Sequence, residues 1–298
     1  QERLARELVQ SFRRAIHEAA NQMIHALSTH LFVNHRLTTS WLEKIQHAGI
    51  PAVEIFCARQ HLDYTNREQV TDLAHWFRDS ELKLHSLHAP MYTDDVWGRT
   101  GPHSVVTITE TVKAKRVAMV DEIKRAIELA ESIPFRYLIQ HVGVGGEEFD
   151  ERKLDAAFSS LDELMVFAKQ RGVEILLENI PNELSSAERL IHFLNGTHLH
   201  AGFCLDVGHA NMNEGVEAAF YLMKDRIRST HVHDNDGKTD KHLYPLVSEG
   251  GTVDWKRTIE LLRSLGGDCP LMLELKESPD FKNPIETAAE IFDRLEKL

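Results

Sequence analysis

Cysteine is scarce. The 298 residues contain three, Cys57, Cys204 and Cys269, an odd and widely spread set. That pattern disfavours a disulfide framework and leads us to expect a reducing, cytoplasmic setting. Positive charge is short as well. Lys and Arg number 34 against 46 Asp and Glu, a net charge of −12. A broadly basic nucleic-acid surface is therefore disfavoured, although a local basic groove would survive that sum. No apolar run approaches the ~20 residues needed to span a bilayer, so no membrane partner is expected. Familiar loops are missing too. There is no G-x-G-x-x-G, no P-loop, no G-x-S-x-G and no C-x-x-C, and Gly143-Val144-Gly145-Gly146 lacks the dinucleotide spacing. What is abundant is histidine, 18 residues against 16 glycines. Histidine is the commonest metal ligand and the near-neutral acid and base, so its placement matters.

A length of 298 residues fits two domains at ~150 residues each, or one α/β barrel with an extension. Leu4, Leu8, Phe12, Ile16 and Ala19 share one face of an amphipathic helix predicted over 2–23, so residues 1–23 read as a helical extension. Packing on the body is its favoured role, and a homodimer contact is the alternative. From residue 24 to 298 short apolar runs alternate with longer amphipathic segments. The runs are Met23–Leu27, Ala52–Phe56, Leu82–Leu87, Tyr137–His141, Glu174–Leu177, His200–Leu205, Ile227–Val232 and Leu271–Leu275. The helix-like segments between them include Ser40–His47, Arg67–Asp79, Thr109–Ser132 and Glu151–Arg171. Thr39 and Ser40 are the expected cap of the first, and Gly172 the expected stop of the last. Eight such strand–helix pairs predict a (β/α)8 TIM barrel rather than an open doubly wound sheet.

Barrel chemistry sits at the carboxyl ends of the strands. Six successive runs close on ionisable residues: His88, His141, Glu178, Asp206 and His209, His231 and His233, and Glu274. One such residue would be an ordinary solvated strand end. Six converging on one mouth call for a ligand. Carboxylates crowded together repel and take up protons unless a cation sits among them. Mixed nitrogen and oxygen donors suit a zinc, manganese or iron ion. Asp240 and His242 lie in the polar loop after the seventh run and taken alone would be a solvated turn.

The segments Leu177-Glu178-Asn179, Leu205-Asp206-Val207-Gly208-His209, His231-Val232-His233-Asp234-Asn235, Gly250-Gly251-Thr252-Val253-Asp254-Trp255 and Leu273-Glu274 resemble, in this order, the xylose-isomerase-like barrel superfamily. That superfamily holds sugar isomerases and epimerases and nucleases of the endonuclease IV type. The resemblance covers roughly residues 24–298. It implies that Glu178, Asp206, His231 and Glu274 form the shared four-ligand metal site. His88 and His141 match two further ligands of the nuclease branch, and His209, Asp240 and His242 match its third-metal ligands. One to three zinc or manganese ions are thereby implied. His231 is preferred over His233 because its spacing to Asp234 fits the family.

The resemblance implies two mechanisms. In a sugar isomerase or epimerase, Glu178 and Glu274 would remove and return a proton through a metal-bound enediolate, and His209 would polarise a substrate oxygen. Trp97 and Phe56 would be packing residues or an apolar wall against the sugar. In an endonuclease IV-like enzyme, zinc ions would hydrolyse a phosphodiester at abasic DNA. Arg59-Gln60 is similar to a DNA-facing nuclease loop, and Arg99, Lys238 and Lys241 add charge near the mouth. Against the nuclease stand Ile180-Pro181-Asn182 after Glu178-Asn179 and Val207-Gly208 after Asp206, which depart from its pattern. The first mechanism, on a small-molecule sugar, is preferred. A non-enzymatic binding module is the least favoured reading.

Overall fold

The structure, a computed structural model, describes residues 23–298. The helix expected over 2–23 lies outside the described residues, save Met23, which is buried just ahead of the first strand. Among the described residues eight strands form one parallel sheet: β1 (Ile24–Ser28), β2 (Ala52–Phe56), β3 (Lys83–His88), β4 (Tyr137–His141), β5 (Glu174–Glu178), β6 (Gly202–Asp206), β7 (Ile227–His231) and β8 (Pro270–Leu273). Each strand lies beside its sequence neighbour, and β1 pairs with β8. The ring closes just past β7, where the Val232 amide donates to Met272 O at 2.8 Å and the Glu274 amide donates to Val232 O at 3.1 Å. This is the TIM barrel the alternation predicts.

The helices among the described residues are α1 (Thr39–His47), α2 (Arg67–Asp79), α3 (Lys113–Ile127), α4 (Glu151–Lys169), α5 (Ala187–Asn195), α6 (Val207–Met212), α7 (Val216–Met223), α8 (Trp255–Arg263) and α9 (Pro284–Leu295). None is long and apolar enough to cross a membrane. Side chains start several of them. Asn66 accepts from the Gln69 amide at 3.1 Å, Asp150 from the Arg152 amide at 2.9 Å and Asp254 from the Arg257 amide at 3.1 Å. Each such cap stabilises its helix by ~1 kcal/mol. α4 buries Ala156, Ala157, Ser160, Leu161, Leu164 and Ala168 at helical spacing and stops before Gly172, whose φ of +73° suits glycine. Two expectations need correction. Thr39 and Ser40 lie inside α1, so neither caps it, and no side chain does. The Thr109–Ser132 segment starts its helix only at Lys113 and ends in a 3-10 turn, Glu128–Glu131.

Strand side chains alternate in direction, and that parity builds the site. One register packs outward against the helices: Leu27, Val53, Ile55, Leu87, Leu138, Leu177, Phe203, Leu205, Leu271 and Leu273 all join the main core. The other register fills the barrel. Its lower part is apolar, with Ala26, Ala52 and Met272 in one group and Tyr137, Ile139, Leu176 and Cys204 in another. Above them lies a polar level in which Glu54, fully buried, accepts from Ser28 Oγ at 3.2 Å and Ser86 Oγ at 2.7 Å. The uppermost positions of β3 to β7, with Glu274 just past β8, are His88, His141, Glu178, Asp206 and His231.

Candidate active site

Three groups of donors meet at this upper level, and within each group one donor atom per residue lies within 4.8 Å of the others. His88, His141 and Glu178 make the first. Glu178, Asp206, His231 and Glu274 make the second, so Glu178 belongs to both. His209, His233, Asp240 and His242 make the third. All nine residues singled out from the sequence as ligands are brought together. The structure adds His233, which the sequence reading set aside in favour of His231.

The imidazoles are held in fixed orientations. His231 Nε2 lies 3.0 Å from Glu54 Oε1. A carboxylate only accepts, so Nε2 carries the proton and Nδ1 turns its lone pair to the second group. That Nδ1 is 3.3 Å from Glu178 Oε1, 3.4 Å from Glu274 Oε2 and 3.9 Å from Asp206 Oδ2. His88 Nδ1 donates to Ala89 O at 2.9 Å, His209 Nδ1 to Asn179 O at 3.0 Å and His242 Nδ1 to Glu274 O at 2.8 Å. Each therefore presents Nε2 to the interior. His88 Nε2 and His141 Nε2 are 3.2 Å apart, and the latter is 3.1 Å from Glu178 Oε2. Asp206 has two tasks. Its Oδ1 accepts from the His209 amide at 2.6 Å and starts α6, a helix the sequence did not announce, while Oδ2 faces the second group.

Four of these inward atoms, Asp206 Oδ2, His231 Nδ1, His233 Nε2 and Asp240 Oδ1, are buried without a hydrogen-bond partner among the described residues. Buried polar atoms rarely go unpaired, and oriented lone pairs of nitrogen and oxygen are what a divalent cation binds. The donor set thus fits such ions. The charges are already separated by environment. Burial opposes ionisation of Glu178, but His231 and His141 outweigh it and hold its carboxyl well below the usual range. Burial pushes Glu274 up to about 7, with the charge of His231 opposing and that of Glu178 adding. Burial also works against a charged His209, yet Asp206, Asp240 and Glu178 raise it well above the ordinary value.

A cavity of about 210 Å³ opens beside the donors. Its apolar side is Phe56, Met91 and Trp97, and its polar side includes His30, His209, Glu178, Glu274 and Lys276. Phe56 stacks on His88 at 4.2 Å between ring centres. His30 escaped the sequence reading because it follows β1 in a 3-10 turn; its Nδ1 donates to Leu275 O at 3.1 Å. The Arg59-Gln60 turn, similar in sequence to a DNA-facing nuclease loop, is engaged within the protein. Arg59 turns inward to the buried Glu122 at 2.6 Å, and Gln60 Oε1 accepts from the Trp97 amide at 2.8 Å. Lys241 pairs with Asp236 at 2.7 Å. The Gly251–Trp255 segment braces the end of β7. Asp234 Oδ1 accepts from the Thr252 and Val253 amides at 2.9 and 3.1 Å, and Oδ2 accepts from Trp255 Nε1 at 2.6 Å.

The model of the family described as xylose isomerase-like TIM barrel matches residues 42–298. The chain belongs to this family. Among curated relatives of this xylose isomerase-like barrel, an uncharacterized protein of Methanocaldococcus jannaschii is 29% identical over 270 residues, covering 87% of this chain and 85% of its own. Among solved structures, a D-tagatose 3-epimerase-like protein superposes with a TM-score of 0.73 at 23% identity, covering 92% of this chain and 97% of its own. The IOLI protein, crystallised with a zinc atom, gives a TM-score of 0.71 at 18% identity over 92% of this chain and 96% of its own. At these identities the structural likeness shows the fold.

Proposed function

We propose that this xylose isomerase-like barrel is a divalent-metal-dependent sugar isomerase or epimerase. The observation that carries the reading is the placement of Glu178 and Glu274 in one buried donor group beside a monosaccharide-sized cavity. Glu178, Asp206, His231 and Glu274 would hold a zinc or manganese ion. His88 with His141, and His209 with Asp240 and His242, provide for a second and third. A bound cation would supply Lewis-acid stabilisation of negative charge on the substrate oxygens.

The carboxylates supply the proton chemistry. Glu178 and Glu274 reach in from β5 and from just past β8. One takes the proton from the carbon beside the carbonyl and the other returns one, to the opposite face of that carbon in an epimerase or to its neighbour in an isomerase. Their opposed shifts suit an acid and a base working side by side. Where no ion takes its Nε2, a protonated His209 would instead polarise a substrate oxygen. Phe56 and Trp97 would pack against the apolar face of the sugar. Among the described residues Lys276 is the one Lys or Arg lining the cavity, and its ammonium already donates to Asp240 O at 3.0 Å. An unphosphorylated sugar suits that wall better than a sugar phosphate. The name of the D-tagatose 3-epimerase-like neighbour is in keeping with this class of substrate.

Hydrolysis at abasic DNA is the other chemistry open to three donor groups. The inward pairing of Arg59 and the size of the cavity count against it. Glu178→Gln and Glu274→Gln test the proposal. Each is expected to slow hydrogen exchange at the carbon beside the carbonyl by about 10²–10⁴-fold, the usual worth of a general base. The comparison is made at equal metal content. Full exchange in either variant would remove that residue from the mechanism.

A further inference from the structure

Among the described residues, His30 is the one histidine lining the cavity that belongs to none of the three donor groups. It is buried, and other rings surround it. Its centre lies 5.1 Å from that of Phe56, 5.8 Å from Trp97 and 4.8 Å from His242. Packing alone would be served by a phenyl ring. What the imidazole adds is two nitrogens. Nδ1 donates to Leu275 O at 3.1 Å, on the residue that follows Glu274. In the neutral ring this leaves a lone pair on Nε2. Nε2 has no hydrogen-bond partner among the described residues, and unlike Nε2 of His61, His85 and His233 it is not sealed in. Its outlet is the cavity that the residue lines.

The backbone that carries His30 is tied down from both sides. Ser28 Oγ accepts from the His30 amide at 3.3 Å, and the Val33 amide donates to His30 O at 3.2 Å. Thr29 Oγ1 accepts from the Phe56 amide at 3.0 Å and joins the turn to β2. The ring is thus oriented before any ligand arrives, so a contact to Nε2 costs little further ordering. We propose that His30 is a substrate-binding residue whose Nε2 hydrogen-bonds a hydroxyl of the sugar. It thereby helps to set which sugar the cavity accepts. A hydroxyl both donates and accepts, and so can meet this nitrogen. A sugar that lacks the hydroxyl, or carries it on the opposite face, leaves Nε2 covered and unpaired, which is how such a site rejects the wrong ligand. The inference rests on reading the cavity as a sugar site and does not depend on the roles given to Glu178 and Glu274.

Two measurements test it. The first is the crystal structure of the metal-loaded protein soaked in turn with D-tagatose, D-fructose, D-psicose and D-sorbose. A hydroxyl oxygen about 2.7–3.2 Å from His30 Nε2 is expected in at least one of them. Sugar bound with no oxygen near Nε2, or none of the four bound in the cavity, overturns the proposal. The second follows deuterium uptake by the same sugars in His30→Asn and His30→Gln. Asparagine keeps an amide able to donate to Leu275 O and has nothing at the place of Nε2. Glutamine is long enough to return a polar atom there. At equal metal content His30→Asn is expected to raise KM about three- to tenfold, the worth of one hydrogen bond, and more than it lowers kcat. His30→Gln is expected to recover part of that loss. An unchanged KM in folded His30→Asn overturns the proposal while the proton-transfer reading stands. A bound sugar touching Nε2 without deuterium uptake supports the contact and counts against the reaction.

Discussion

Replacing Gly208 by Ala probes the site without touching a charge. Gly208 lies in α6, and its φ is not in the left-handed region, so the backbone itself would accept a side chain. Helix propensity alone favours the change by up to ~1 kcal/mol. The new methyl would lie 2.0 Å from His233 Cε1, 2.4 Å from Nδ1 and 2.5 Å from Nε2. The ring is backed by His242 and cannot retreat. Overpacking of a well-filled core costs ~1–3 kcal/mol, and so close an approach belongs at the upper end. The net loss is therefore ~2 kcal/mol. For a chain of this size that lowers the melting temperature by roughly 4–8 °C. In a His233→Ala background the obstacle is gone, and the same substitution should be neutral or stabilising by up to ~1 kcal/mol. The sign reversal amounts to a coupling of ~3 kcal/mol in a double-mutant cycle. Urea unfolding of the four proteins with metal chelated measures it. Equal stability of Gly208→Ala and the wild type would refute the packing argument.

Glu54→Gln should weaken metal binding by ~10–100-fold, because the carboxylate that fixes the tautomer of His231 is lost; a competitive chelator titration would reveal an unchanged affinity if Glu54 has no such role. Glu122 should govern part of the acid limb of stability. Burial opposes its charge, but Tyr64, Arg59 and Arg125 outweigh it and lower its pKa below 4.5. A depressed carboxyl stabilises the fold above its unfolded pKa and loses that contribution as pH falls through the folded value. Glu122→Gln should thus be destabilising at pH 7, with the difference shrinking as acid is added, as denaturant curves across pH would show; a deficit independent of pH would contradict it. Trp97→Ala should raise KM for the sugar more than it lowers kcat, since its ring lines the apolar side of the cavity with Phe56. A kcat loss with unchanged KM would place Trp97 elsewhere in the reaction.

Much of this architecture is legible in the chain because strand parity converts sequence into position. The apolar run Tyr137–His141 and its counterparts put every second side chain on the barrel axis, so a polar last residue in the inward register must meet the others. Parity also explains what was hard to read. His231 and His233 are two apart and share a face, and a choice between them looked necessary. The structure places both among the donors, His231 in one group and His233 in another, because the chain continues past β7 along the ring closure at Val232. Glu54 was hidden inside Ala52–Phe56, where one acid looks like an interruption of an apolar run rather than the support of a histidine strands away. α6 has six residues, too few to show a period, and its cap is a residue already claimed by the site. Arg59 illustrates the converse. A cation in a mouth loop reads as free for a phosphate, yet its partner, Glu122, is 63 residues away on α3.

The central claim is proton transfer at a carbon beside a carbonyl, dependent on the metal group and on Glu178 and Glu274. It is tested most directly by following a panel of unphosphorylated ketoses by NMR in deuterium oxide with the metal-loaded protein. The account predicts uptake of solvent deuterium at one carbon of at least one sugar, lost on chelation and restored by zinc or manganese. Conversion of a sugar with full retention of its carbon-bound hydrogen, or uptake that persists in the chelated protein, would contradict it.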